Sequence, residues 1–522
     1  MGQVVNIENR INAKVTGIIR DVPGNTSLPF EFLLSFETIK KDMKGAISNF
    51  WAIGGGFFTY ILLPNNYPVQ RIQSKIPGFL KKNWGKDAGM DVRLPLQPLK
   101  EIHFDQRYIN NVITPTSKDT YYALFGVALL IIITACINFI NLATAQAIKR
   151  SKEVGVRKVL GANRLQLIKQ FMSETSALVL IALLLGVCTA ALFIAETGAL
   201  LNIKINASQL AESVVIAWIA GLTIVVILVV GLYPAFVQSA FQPVDSLKNK
   251  TGNNVRGFTL RKSLVVAQFA ISQILIVGTL VVAHQMDFFQ NQDLGFNKDA
   301  IVSMGIPNGA KSETLRHELI SNPGVKQVIL SSGAPSYNSS FTSFSAPDFG
   351  ITKDDVTEVK FIDENYINMF GLKMLAGERV RKVDAKDTAQ NIVANETMIH
   401  KMGIMDPGKA IGQHIKMNGQ FTTIIGVIQD FQSESKHKKR RACALEYKAD
   451  NFFMVSVRLQ PAGMRRTIDQ IDKSWSALFP KDLIKYEFLD DHIASYYTQE
   501  QKVYTAFKLF SFIDILIGCL GL

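Results

Sequence analysis

The sequence predicts a multi-span α-helical membrane protein with two extracytoplasmic mixed α/β domains. Three observations carry that prediction. Four long stretches, residues 120–148, 175–195, 213–244 and 263–286, contain no Asp, Glu, Lys or Arg. Basic residues concentrate in two of the loops between them. The remaining segments, 1–119 and 287–504, read as strands, short helices and polar turns.

Each stretch exceeds the roughly 20 residues that cross a bilayer as a helix. The alternative, a buried helix of a large enzyme, runs about 8–20 residues and keeps a polar face. These stretches have no such face. A fifth apolar run begins at Leu509 and continues to Leu522. It stops short of a full crossing, and the first residues show no basic n-region with an apolar h-region. The chain therefore reads as a piece cut at both ends.

The net charge of +13 would invite a nucleic-acid partner in a soluble protein, but its placement points elsewhere. Loop 149–170 holds Lys149, Arg150, Lys152, Arg157, Lys158, Arg164 and Lys169 against Glu153 alone. Loop 245–262 holds Lys248, Lys250, Arg256, Arg261 and Lys262 against Asp245, whereas loop 196–212 has only Lys204 with Glu196 and Glu212. Short loops rich in Lys and Arg stay in the cytoplasm. The expected organisation starts with a partial outer domain at 1–119. Membrane helices follow at 120–148, 171–195 and 213–240, with a cytoplasmic coupling loop at 149–170. A cytoplasmic linker at 245–262 leads to a membrane helix at 263–286, a second outer domain at 287–504 and the start of another helix at 505–522. Cys136, Cys188 and Cys519 fall in apolar runs and Cys443 stands alone, so no disulfide framework is expected.

In the first outer segment Val15 to Ile19 alternates like a strand. In the second, strands are expected at 325–331, 356–362, 391–394, 413–417 and 421–429, and helices at 312–320, 364–370, 396–402 and 464–478. An internal repeat links the two segments. Gly2-Gln3 precedes a polar turn and then Val15-Thr16-Gly17-Ile18-Ile19-Arg20-Asp21; Gly412-Gln413 precedes a polar turn and then Ile424-Ile425-Gly426-Val427-Ile428-Gln429-Asp430.

Three places resemble a known family. Ala135-Cys136-Ile137-Asn138-Phe139-Ile140-Asn141 leads into Arg150-Ser151-Lys152-Glu153-Val154-Gly155-Val156-Arg157-Lys158-Val159-Leu160-Gly161-Ala162. This is similar to the cytoplasmic-loop signature of MacB/FtsX-type ABC transporter permeases. Phe241-Gln242-Pro243-Val244-Asp245-Ser246-Leu247-Lys248, with Arg261-Lys262-Ser263-Leu264, resembles the junction between the halves of eight-span members. Tyr366-Ile367-Asn368-Met369-Phe370-Gly371-Leu372-Lys373, with Asn395-Glu396-Thr397, resembles the second, MacB-like periplasmic domain. The resemblance implies an inner-membrane permease, a homodimer or pseudo-dimer, driven by a separate cytoplasmic ABC ATPase, with room for a periplasmic adaptor. It implies no catalytic residues and no cofactor. The sequence contains no G-x-x-x-x-G-K-[ST] phosphate loop, so ATP hydrolysis is expected in a partner rather than in this chain.

The family likeness makes Arg150, Lys152, Glu153, Val154, Gly155, Arg157, Lys158 and Gly161 the candidate ATPase-coupling residues. Glu153 and Arg157 stand i,i+4 and can pair. Gly161 suits a helix C′ position and Asn163 the next N-cap. The expectation is a short cytoplasmic helix, a tight turn, then the second span. The plain alternative is that these cations only fix topology and meet anionic lipid. Asn138 and Asn141 are expected in helix packing. Asp514 is an ionisable group in an apolar run, though it could sit near the headgroups. His284 is expected at the interface. The seven histidines show no metal-ligand spacing. Lys436 to Arg441 reads as a solvated basic loop, or one that meets an acidic partner or headgroups. The function expected is transmission of ATP-driven motion to periplasmic domains for export of a substrate. The rival is a non-transporting FtsX-type scaffold or sensor that regulates an outer partner.

Overall fold

The structure is a computed structural model that describes residues 2–7, 11–22, 26, 28, 30–39, 58–84, 93–107, 115–200, 207–239, 255–307, 311–337, 340–382 and 390–521. The junction at 241–248, most of the linker at 245–262 and the turn before Ile11 lie outside the described residues. The chain divides into two compact units. One comprises Met1–Asp21, Phe30–Glu101 and Phe289–Thr498, the other Val22–Pro29, Ile102–Phe288 and Gln499–Leu522.

The first unit begins with a hairpin of β1 (Val4–Ile7) and β2 (Ile11–Lys14), followed by short helices α1 (Phe36–Ile39), α2 (Gln70–Gln73) and α3 (Ile76–Trp84). Its larger part starts with a four-stranded antiparallel sheet. The strands are β3 (Ile301–Gly305), β4 (Val325–Ser331), β12 (Met454–Leu459) and β13 (Tyr486–Phe488), in the order β13-β3-β12-β4. Helix α8 (Ser312–Ile320) joins β3 to β4, and α12 (Met464–Leu478) joins β12 to β13, so the unit is a split β-α-β arrangement. Both helices are amphipathic. Leu315 and Leu319 of α8, and Thr467, Ile471 and Trp475 of α12, recur at i,i+4 and are buried.

A second sheet is inserted between β4 and β12. It contains β5 (Ser340–Ala346), β6 (Ile351–Phe361), β7 (Met374–Gly377), β8 (Gln390–Asn395), β9 (His414–Met417), β10 (Gln420–Ile428) and β11 (Cys443–Glu446). The order is β7-β10-β8-β11-β6-β5-β9, and β9 also pairs with β10. Six strands therefore close a ring, with β7 added outside β10. Phe344, Ile392, Ile415 and Ile424 point into one continuous apolar core. Short helices α9 (Tyr366–Phe370), α10 (Glu396–Lys401) and α11 (Pro407–Ala410) connect the strands, and α13 (Leu489–Ser495) closes the unit.

The two Gly-Gln repeats close their hairpins with the same pair of bonds. Val15 O accepts from Gly2 N (2.8 Å) and Gln3 O from Val15 N (2.8 Å); Ile424 O accepts from Gly412 N (2.8 Å) and Gln413 O from Ile424 N (3.0 Å). Both opening glycines need the left-handed region, at φ +85° and +82°. Beyond that point they differ. The strand expected at Val15 to Ile19 is absent: β2 ends at Lys14, and Ile18 and Ile19 are exposed. The counterpart runs on to Ile428 because β8 and β7 flank it. Alternation supplied the propensity, but a strand needs a partner for its N–H and C=O groups.

The second unit is helical. Helices α4 (Lys118–Val159), α5 (Arg164–Leu200), α6 (Ser213–Ser239), α7 (Val255–Asn291) and α14 (Thr498–Gly521) contain, among the described residues, five segments long and apolar enough to cross a membrane. The chain is thus a multi-span helical membrane protein carrying mixed α/β structure.

Candidate functional site

The candidate coupling residues lie where α4 and α6 end and α5 begins. The sequence expectation of a separate short helix is corrected: α4 is one helix of 42 residues through Val159. Nothing between Gln146 and Val159 breaks it, since the segment lacks Pro and is rich in helix formers. The apolar span closes at Gln146, so the last turn of α4 stands about 15–20 Å beyond it at 1.5 Å per residue.

The turn is built as the spacing predicts. Ala162 N donates to Arg157 O (3.0 Å) and Gly161 N to Lys158 O (3.1 Å). With Gly161 at φ +97° this is a Schellman cap. Asn163 Oδ1 then accepts from Gln166 N (2.9 Å), while Gln166 Oε1 accepts from Asn163 N (3.0 Å), a reciprocal capping box that starts α5. Beneath the turn Val154, Leu167, Phe171 and Ala235 form a small apolar core with Ile168 and Met172.

The structure divides the candidate residues into three groups. Val154 and Gly155 are buried in the three-helix contact. Lys158 donates from Nζ to Ser239 O (2.7 Å), and Arg164 Nε to Ser239 Oγ (3.3 Å), placing two cations on the C-terminus of α6. Arg157 reaches Glu153 (2.6 Å), as its spacing predicted, and also Gln170 Oε1 (2.6 Å). Arg150 pairs with Glu174 (2.9 Å), whose other oxygen accepts from Gln170 (3.1 Å). Arg150, Arg157 and Lys158 thus bind neighbouring helices of their own chain, and Lys152, Glu153 and Gly161 lie on the surface.

Sequence reasoning passed over the apolar tip. Val156, Val159, Leu160 and Leu165 are 48%, 65%, 81% and 68% exposed. The signal was present: 156, 159 and 160 share one helix face at i,i+3,i+4 spacing, hidden among charges.

A second polar group lies between α7 and α14. Ser272 Oγ donates to Asp514 Oδ2 (2.6 Å), Ser511 Oγ donates to Leu275 O (3.2 Å), and Thr279 pairs with Ser511. Asn138 Nδ2 of α4 donates to Ile517 O (3.4 Å). Ser272 is ten residues beyond Lys262, about 15 Å along the helix. The fully buried Asp514 therefore lies beside the interior of the apolar segment Arg261–Asn291 rather than beside either of its ends. Asp514 Oδ1 and Asn141 Oδ1 are buried without a partner among the described residues. No group of three or more His, Cys, Asp or Glu that could hold a metal occurs among the described residues.

The α4–α5 turn falls inside a recognisable domain. Residues 125–243 match the family described as FtsX-like permease C-terminal. These residues are an FtsX-like permease domain. Part of the chain is similar to two macrolide export ATP-binding/permease proteins MacB. That of Bdellovibrio bacteriovorus is 26% identical over 145 residues, covering 28% of this chain and 22% of the relative. That of Bradyrhizobium diazoefficiens is 29% identical over 143 residues, covering 27% and 21%. The matched stretch thus spans about a fifth of each relative's length. Among solved structures, the periplasmic region of MacB from Actinobacillus actinomycetemcomitans aligns with TM-score 0.30 and 14% identity, over 40% of this chain and 96% of that structure. The extracellular domain of the noncanonic ABC-type transporter YknZ from Gram-positive bacteria aligns with TM-score 0.26 and 16% identity, over 36% and 97%.

Proposed function

We propose that this chain is the permease subunit of an inner-membrane ABC transporter, and that the α4–α5 turn is where a separate cytoplasmic ATPase grips it. The observation that carries this reading is the apolar tip. Val156, Val159 and Leu160 are exposed on a rigid capped turn, 10 to 14 residues past Gln146, where the first apolar segment ends. Exposed apolar groups rimmed by charge mark a protein interface. The partner's ATP-driven motion would enter at this tip and pass along the unbroken α4. The pairing of intramembrane polar groups between helices fits transmission of movement for export better than a polar path through the spans. The complete permease would work as a dimer, with an adaptor outside the membrane.

The test is to replace Val156 and Leu160 together by Ser in the full chain, co-express it with its ATPase and measure ATP hydrolysis in reconstituted vesicles. Loss of ATPase binding and stimulation, with unchanged melting of the permease, is the expected result. Undiminished stimulation would remove the tip from the interface. Stimulation by an exported compound supports transport. Activation of an outer partner without cargo would favour the scaffold reading instead.

A further inference from the structure

The basic run Lys436–Arg441 is not used by the coupling mechanism, yet it is held in a defined shape. Asn395, the N-cap of α10, accepts from Met398 N (3.1 Å) and Cys443 N (2.9 Å) and donates to Arg441 O (2.8 Å). Its neighbour Thr397 donates from N and Oγ1 to the two carboxyl oxygens of Asp430 (2.9 and 2.7 Å), and Asp430 N donates to Glu396 (3.0 Å). The Asn395-Glu396-Thr397 motif therefore pins both ends of the loop that carries the cations.

That loop walls a cleft of about 400 Å³. Lys401, Lys438, Lys439, Arg440 and Arg441 line it. Two rim carboxylates oppose them: Glu434 meets Lys438 (3.4 Å) and Arg441 (3.3 Å), and Asp355 meets Lys401 (2.6 Å). Glu358 also lines the cleft but is buried against Lys360 (3.2 Å) and Ser433 (2.8 Å). Cations outnumber carboxylates, so the cleft favours an anion. Its wall is also apolar, with Phe341 and Val356 exposed and the Arg441 guanidinium 5.2 Å from the Phe341 ring centre.

The start of the run gives its level. Lys436 Nζ donates to Gln292 Oε1 (2.6 Å) and Lys436 N to Tyr497 Oη (3.2 Å). His437 meets Phe289 edge-on at 5.0 Å, and Phe289 stacks on Tyr497 at 4.9 Å. Phe289 lies in the last turn of the apolar segment Arg261–Asn291, and Tyr497 immediately precedes the segment Thr498–Leu520. Aromatic residues at span ends sit among headgroups. The cationic run thus begins at the height where a phosphate-bearing headgroup stands.

We propose that the Lys438–Arg441 cleft binds the headgroup of an anionic phospholipid. The lipid phosphate meets the cations, and the adjoining glycerol and acyl carbons meet Phe341 and Val356. The assignment rests on reading α7 and α14 as membrane helices.

The test reconstitutes the full chain in nanodiscs with photoactivatable phosphatidylglycerol or phosphatidylcholine and maps the labelled peptides by mass spectrometry. Phosphatidylglycerol should label residues 433–446 and phosphatidylcholine should label them weakly. Lys439→Gln with Arg440→Gln should lower that label at least fivefold, leaving both the melting temperature and any label on 149–170 unchanged. Equal labelling by the two lipids, or no change in the variant, overturns the proposal. Displacement by millimolar inorganic phosphate or by polyglutamate also overturns it, since the site would then serve a soluble anion or an acidic protein. An apolar photoprobe in the same nanodiscs checks the membrane reading separately, through label on residues 263–286.

Discussion

The α/β part of the first unit and the long helices of the second use the same apolar residues in opposite ways. In the α/β part Phe344, Ile392, Ile424 and Trp475 are inside, and the surface carries charge. In the helices Leu192, Trp218, Val266 and Leu280 are exposed, while Thr134, Asn141, Ser239, Gln268, Ser511 and Asp514 are buried. In water, burial of carbon drives association. In lipid the tails are as apolar as Leu, so helices associate by close packing and hydrogen bonds. The difference teaches where each region is vulnerable: the α/β part at its carbon, the helices at their few polar contacts.

The comparison can be broken most severely in the α/β core. Trp475→Ala removes a fully buried ring together with its Nε1–H bond to Asp482 O (2.9 Å). It should lower stability by about 3–5 kcal/mol, read as a drop in the unfolding midpoint in detergent. Gly426→Ala should come next, at about 1–3 kcal/mol, because an added Cβ would lie 2.2 Å from Glu378 O. Gly17→Ala, its partner in the repeat, meets no atom within 4 Å and should leave the midpoint unchanged. Equal losses at both glycines would sink the structural distinction between the repeats.

A charge buried in the α/β part sharpens the contrast through pH. Burial pushes the Asp363 carboxyl up to about 7, and Glu364 adds to the rise. The N–H groups of Leu330 and Asn365 and the Arg316 guanidinium hold it back only partly. The folded state then binds the proton more tightly than the unfolded chain does. Its stabilising effect is complete below about pH 4 and is lost as pH rises toward 7, at about 1 kcal/mol per unit. Hydrogen exchange in β4 should quicken between pH 5 and 7 beyond the intrinsic rate, and Asp363→Asn should flatten that dependence.

The helices should respond least in energy. Ser272→Ala removes the hydroxyl bonded to Asp514 and should cost about 1 kcal/mol, the usual size of an interhelical hydrogen bond in a membrane. Lys158→Met keeps the stem but removes the cation from the C-terminus of α6. It should cost about 0.5–1 kcal/mol, seen as faster exchange at residues 235–239.

Much of this arrangement was legible in the chain. The strand Val325–Ser331 and the helices Ser312–Ile320 and Met464–Leu478 fall where periodicity and turn residues predict them. Gly161 and Asn163 announced the α4–α5 turn because caps depend on local chemistry. Strands β11 and β13 were missed because each has at most four residues and is held by its neighbours in the sheet. At the candidate site, Arg157 and Lys158 looked like outward docking charges. The structure ties them to Gln170 and Ser239, contacts 13 and 81 residues away that no local pattern encodes.

By itself the sequence determined the apolar helices, the basic 149–170 segment, the caps of its turn and the Gly-Gln repeat. These follow from solvent preference and from dihedral and hydrogen-bond demands that act within a few residues. Only the tertiary structure decided that α4 continues to the turn and leaves Val156 and Leu160 exposed, that Asp514 meets Ser272, and that one repeat extends its strand while the other does not. Those outcomes depend on which distant atoms fill the space beside each residue, and a side chain's effect reverses with whether that space holds lipid, water or another strand.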